Sequence, residues 1–167
     1  TSVTAASLQH SDNIKSITLG KNIREIGDHA FNCCKSLTTV KAPVGLEKIG
    51  SNSFGGCDVL STVELPEGLK SIGSNAFRYC SALTSIKIPA GVTALNEGLF
   101  ESCGNLAEIS LPSTLETIDN TAFKSCRKLD NITISENNAN FSSEENVIYN
   151  KDKSEAVLIC GGVGKLT

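Results

Sequence analysis

A period of twenty-three residues runs through this chain and leaves it few folds to choose from. Leu60 to Cys80 reads LSTVELPEGLKSIGSNAFRYC, Leu83 to Cys103 reads LTSIKIPAGVTALNEGLFESC, and Leu106 to Cys126 reads LAEISLPSTLETIDNTAFKSC. Phe31, Phe54, Phe77, Phe100 and Phe123 keep the spacing, as do Cys34, Cys57, Cys80, Cys103 and Cys126. Pro43, Pro66, Pro89 and Pro112 keep it too, and they are all the prolines present. Apolar residues recurring at one interval, within roughly 20–50 residues, mark a solenoid whose units bury their apolar sides only against one another.

Within a unit the pattern changes. Alternation in Val63-Glu64-Leu65 predicts a short strand. The following proline ends it, having no N–H for the ladder. Leu69 and Ile72 predict a second, shorter strand or extended turn. In GSNAFRYC, Ser-Asn ahead of Ala-Phe looks like a helix start with room for about one turn.

Read in full, the unit LxxIxIPxxVxxIxxxxFxxC of Leu83 to Cys103 resembles the BspA-like (treponemal-type) class of leucine-rich repeats. It departs from the general pattern LxxLxLxxN/CxL, since Pro and an aliphatic residue stand where the asparagine would be, so no asparagine ladder is expected. The resemblance implies a leucine-rich-repeat solenoid of the strand-dominated α/β class: a right-handed curved coil with a parallel concave sheet and short convex turns or helices. It also implies secretion or surface display in bacteria and some protists, with adhesion and host-protein binding as roles.

Three segments are expected. Residues 1–13 form a worn half-repeat, with Leu8 and Ser11 twenty-three residues before Phe31 and Cys34. A polar terminal unit and an array that continues upstream both fit this segment. Residues 14–135 carry the regular repeats. Over 136–167 the period breaks, and runs at Asn146–Tyr149 and Ala156–Cys160 read as a hairpin cap, or the start of a further repeat. Such a cap would cover a strand edge open to other chains.

The Phe column is expected to pile up as core. The Cys column admits zinc ligation, disulfides or buried reduced thiols. Zinc sites want paired ligands two to four residues apart, and five stacked thiols cannot all pair, so small buried hydrophobes are the expectation. Cys33 should face outward, and Cys160 should be buried.

Two outward columns are the candidate binding surface: Thr39, Thr62, Ser85, Glu108 and Asn131, beside Lys41, Glu64, Lys87, Ser110 and Thr133. Lys41, Glu64 and Lys87 fall on successive rungs, where opposite charges support one another by about 0.2–1 kcal/mol per pair. These columns hold no Trp, Tyr or Arg, so contact energy would be spread over many residues.

Catalytic residues, metal ligands and cofactors are not indicated. The two histidines, His10 and His29, have no nucleophile at an interpretable spacing, and no HExxH or phosphate loop is present. A net charge of −3 and a pI near 5.4 give no reason to expect nucleic acid. No apolar run is long enough to cross a membrane, and the start TSVTAASLQ has neither an initiator Met nor a positive n-region. The sequons Asn131-Ile132-Thr133 and Asn140-Phe141-Ser142 matter only outside bacteria. The functional expectation is a non-enzymatic protein-binding module, adhesin-like, that binds a host or cell-surface protein through its concave sheet. The alternatives are a spacer array holding other domains off the cell surface and, more weakly, a carbohydrate-active enzyme. Oligomeric state is not encoded in these patterns.

Overall fold

The computed structural model describes residues 2–3, 7–144 and 146–159. Its strands, numbered in chain order, alternate between two faces of a solenoid. The first face holds β2 (Ser16–Thr18), β4 (Thr39–Lys41), β6 (Thr62–Glu64), β8 (Ser85–Lys87), β10 (Glu108–Leu111) and β12 (Asn131–Ile134). The second holds β1 (Ser2–Val3), β3 (Glu25–Ile26), β5 (Lys48–Ile49), β7 (Ser71–Ile72), β9 (Ala94–Leu95) and β11 (Thr117–Ile118). Pairing is parallel and every register is one period: Ser16 opposite Thr39, Thr39 opposite Thr62, Glu25 opposite Lys48. Proline bounds the strand in the units that carry one. β10 runs to Leu111 and stops before Pro112, which cannot donate to a ladder.

The first face is not one sheet. It comprises β2-β4-β6 and β8-β10-β12, and the second face parts at the same rung into β1-β3-β5-β7 and β9-β11. A continuous sheet is what the repeat alone predicts; both breaks fall at the rung that carries Asn96.

Between the faces the turn segment carries the core. Phe31, Phe54, Phe77, Phe100 and Phe123 stack with ring centroids 5.4 to 5.7 Å apart and planes within 14° of parallel. The expected pile of rings is present, and around it Leu37, Leu46, Leu60, Leu69, Leu83, Ile26, Ile49 and Ile72 are fully buried.

No helix forms among the described residues; the convex side is made of turns. The backbone explains this. Asn75 has φ of 59° and Tyr79 of 61°, and the pattern repeats at Asn52 and Gly56, at His29 and Cys33, and at Gly98 and Ser102. Left-handed residues four apart cannot propagate a right-handed helix, so Ser-Asn before Ala-Phe opens a turn. The turns satisfy their amides across rungs instead. The N–H of Phe31, Phe54, Phe77 and Phe100 donate to the carbonyls of Ser53, Ala76, Leu99 and Ala122 at 2.8–3.0 Å.

At the N-terminal end, β1 pairs with β3, and Leu8 and His10 donate to Ala30 and Asn32 as in later turns. At the other end, β13 (Phe141–Glu144), β14 (Val147–Asn150) and β15 (Ala156–Ile159) form an antiparallel sheet, one strand more than the hairpin pattern shows. The extra strand, FSSE, has a single apolar residue and so no alternation to read. Cys160 lies outside the described residues.

Asn138 makes the transition. It stands one period after Leu115, in a column otherwise Leu46, Leu69, Val92 and Leu115, and is 1% exposed. Its Nδ2 donates to the carbonyls of Pro112 and Leu115 at 3.1 and 3.0 Å, and its Oδ1 accepts from the amides of Asn140 and Phe141, both at 2.8 Å. A buried amide with all four of its bonds made loses little on leaving water. It ties the departing chain to the last full rung.

Candidate functional site

The alternation that buries Val40, Ile86, Ile109 and Ile132 turns their neighbours outward. Lys41, Thr62, Glu64, Ser85, Lys87, Glu108, Ser110, Asn131 and Thr133 are exposed, and Thr39 is half-buried. All of these except Thr39 and Lys41 line one trough of about 460 Å3 over β6, β8, β10 and β12. Thr39 and Lys41 sit on β4, opposite Thr62 and Glu64, at its margin.

Sequence reasoning overlooked Ser61 and Thr84, which also line the trough. They occupy the position after each unit's first Leu, read simply as polar. The available signal was their register: Thr38, Ser61 and Thr84 repeat a hydroxyl just before the strand.

The charges differ from expectation. Although Lys41 and Glu64 are in register, the pair is not made. Lys87 Nζ turns away to Glu67 Oε1 at 2.8 Å, and both side chains are 71% exposed. Glu67 follows Pro66 in the turn, where Lys87 reaches it without lying flat on the sheet. An exposed pair of this kind contributes about 0–1 kcal/mol. Among the described residues, Glu64 and Glu108 have no ion-pair partner, so the walls of the trough carry free carboxylates among hydroxyls and one amide. The inner columns supply an apolar floor at Val63, Ile86 and Ile109. Such a lining can accept and donate hydrogen bonds but offers no deep anchor pocket.

The thiols sit away from this face. Cys57, Cys80, Cys103 and Cys126 are unpaired and buried. Each Sγ donates to the carbonyl of the phenylalanine one rung below: Cys57 to Phe31, Cys80 to Phe54, Cys103 to Phe77 and Cys126 to Phe100, at 3.0–3.2 Å. Cysteine is therefore both a hydrophobe and a small donor here, a role the sequence pattern does not show. Burial pushes Cys57 and Cys126 up to about 12 and pushes Cys80 and Cys103 well above the usual thiol range. They remain neutral at physiological pH. Cys33 is half-buried in its left-handed turn position.

Among the described residues no group of three His, Cys, Asp or Glu is placed to hold a metal ion. Nor, among the described residues, is any helix long and apolar enough to cross a membrane.

A parallel solenoid of short strands around stacked Phe and Cys, open on one sheet face, is the architecture of a leucine-rich-repeat protein. The sequence matches the BspA type leucine rich repeat region in six copies, over residues 1–130 and 47–164, and the chain belongs to that family. Among solved structures it is similar to a leucine-rich repeat protein from Bacteroides ovatus, at 32% identity over 81% of this chain and 41% of that one, with a TM-score of 0.65. It is similar to the pneumococcal vaccine antigen PcpA at 27% identity, over 86% of this chain and 36% of that one, TM-score 0.75. It is also similar to the leucine rich repeat protein TpLRR of T. pallidum at 29% identity, over 77% of this chain and 71% of that one, TM-score 0.58. The chain thus spans well under half of the B. ovatus and pneumococcal proteins. No curated protein matches the sequence.

Proposed function

We propose that this chain is a non-enzymatic recognition module, secreted or displayed on a cell surface, which binds a protein partner through the trough on its first face. The single observation that carries this reading is the trough itself: exposed hydroxyls, carboxylates and an amide brought together on four neighbouring strands, three of them in register. Solenoids use such open faces for extended contacts. The pneumococcal antigen and the bacterial relatives favour a place outside the cell, with host or cell-surface proteins as partners. A lining without Trp, Tyr or Arg favours affinity spread over many modest contacts.

The test is a pull-down against extracellular-matrix and cell-surface proteins, with Glu64→Lys plus Glu108→Lys as the face variant. Retention of a partner by the native protein, weakened at least about tenfold by the variant, is the expected result. Binding that ignores both reversals removes this face from the reading. No binding at all supports a spacer that holds other domains apart.

A further inference from the structure

Both sheets part between the same two rungs. β6 and β8 share no register, nor do β7 and β9, while every other pair of neighbouring rungs on either face is hydrogen-bonded. The turn side does not part. The amides of Asn75, Phe77 and Tyr79 reach the carbonyls of Glu97, Leu99 and Glu101 at 2.8, 3.0 and 2.9 Å, as their counterparts do in the rungs before.

The local sequence explains the break. Rungs before it carry Gly27, Gly50 and Gly73 after the second strand, and a Cβ on Gly50 would lie 2.6 Å from the Asp28 nitrogen. The amides of Gly50 and Gly73 donate to Ile26 and Ile49 at 2.8 Å. The next residues in this column are Asn96 and Asp119. Asn96 Nδ2 donates to the Ile72 carbonyl at 2.6 Å, taking the acceptor its own main-chain N–H would use. This is side-chain competition with the ladder. Asp119 is the internal comparison, with the same shape but no donor. Its carboxylate turns to the Thr121 amide at 2.8 Å, its main-chain N–H reaches Leu95 at 2.9 Å, and β9 and β11 pair. The donor, not the bulk, goes with the lost ladder bond. Leu99, where other rungs have Ala30, Ser53, Ala76 and Ala122, adds volume to the core at the same rung.

We propose that the array is two rigid three-rung blocks hinged at this seam, with the turn side as pivot, and that the trough is a clamp whose walls belong to different blocks. Thr62 and Glu64 lie on the first block; Lys87, Glu108 and Ser110 lie on the second. A partner touching both walls fixes the angle between blocks, so one face accepts partners of differing curvature. The clamp rests on the binding reading above, but the hinge does not.

Amide-resolved hydrogen exchange on the native chain, without any ligand, tests the hinge. The amides of Ser85, Lys87 and Asn96 exchange at least about tenfold faster than Thr62, Glu64 and Gly73 one rung below and Glu108, Ser110 and Asp119 one rung above. Asn96→Asp, which removes the competing donor, narrows that gap about tenfold, and Asn96→Gly does the same by restoring the column. Equal protection of the three rungs in the native chain overturns the proposal. So does a gap unchanged in both folded variants. Because no partner enters the experiment, its failure leaves the trough reading standing, and failure of the pull-down leaves the hinge standing.

Discussion

Raising the pH from 8 to 10 should strongly destabilise this protein, and the buried thiols set the magnitude. In the native state Cys57, Cys80, Cys103 and Cys126 hold their protons, because burial raises all four. An unfolded thiol ionises near pH 8.5–9. The unfolded chain therefore binds fewer protons than the native one across this window, and stability falls as pH rises. Stability is fully present below about pH 8.5 and is lost progressively toward the native values near 12 and above. Each thiol costs roughly 1.5 kcal/mol between pH 8 and pH 10, so four cost roughly 6 kcal/mol. That is comparable to the whole stability of an ordinary domain, about 5–15 kcal/mol. Urea unfolding in the presence of reductant reads it directly. With a slope near 2 kcal/mol/M the midpoint drops by roughly 3 M. Cys80→Ala is less stable at pH 8 but loses about a quarter of the pH slope. A midpoint that stays level between pH 8 and 10, or a Cys80→Ala slope equal to that of the native chain, refutes the reasoning.

Phe77→Ala should lose about 3–5 kcal/mol by urea or thermal unfolding. Phe123→Ala should lose about 1 kcal/mol less, because Phe123 stacks on one neighbour where Phe77 stacks on two. Asn138→Ala leaves the Asn140 and Phe141 amides without their acceptor, while the Pro112 and Leu115 carbonyls keep the Leu115 amide and Asn140 Nδ2, for a loss of roughly 2–3 kcal/mol, with faster exchange at Asn140 and Phe141. Ellman titration of the native protein should count no more than about two thiols, rising after denaturation to the seven in the sequence. Lys70→Ala, which breaks an exposed pair with Glu47, should shift stability by less than about 1 kcal/mol.

The period alone made the coil, the ring stack and the two strand columns legible, because a solenoid translates every position by one rung. The seam was not legible that way. Asn96 and Asp119 both look like tolerated departures from glycine, and only hydrogen-bonding chemistry separates them: the Asn96 side chain donates to Ile72, whereas the Asp119 side chain has no donor and leaves Leu95 to its own main-chain N–H. Charges misled for a related reason. The period puts Lys87 one rung after Glu64, but a long side chain is not held to its rung, and Glu67 lies within its reach. The turns escaped notice because Asn and Ser suit both a helix cap and a left-handed turn. FSSE showed no strand pattern because its single buried residue, Phe141, continues the column of Ile26, Ile49, Ile72, Leu95 and Ile118 instead of alternating.

The left-handed ridge along the convex edge runs His10, Cys33, Gly56, Tyr79, Ser102 and Ser125. Five residue types share these six places, and none is β-branched. The constraint there is on the main chain, not on what the side chain carries. This edge can consequently be rewritten, rung by rung, with reporters or crosslinkers at evenly spaced heights, while the core and the opposite face stay as they are.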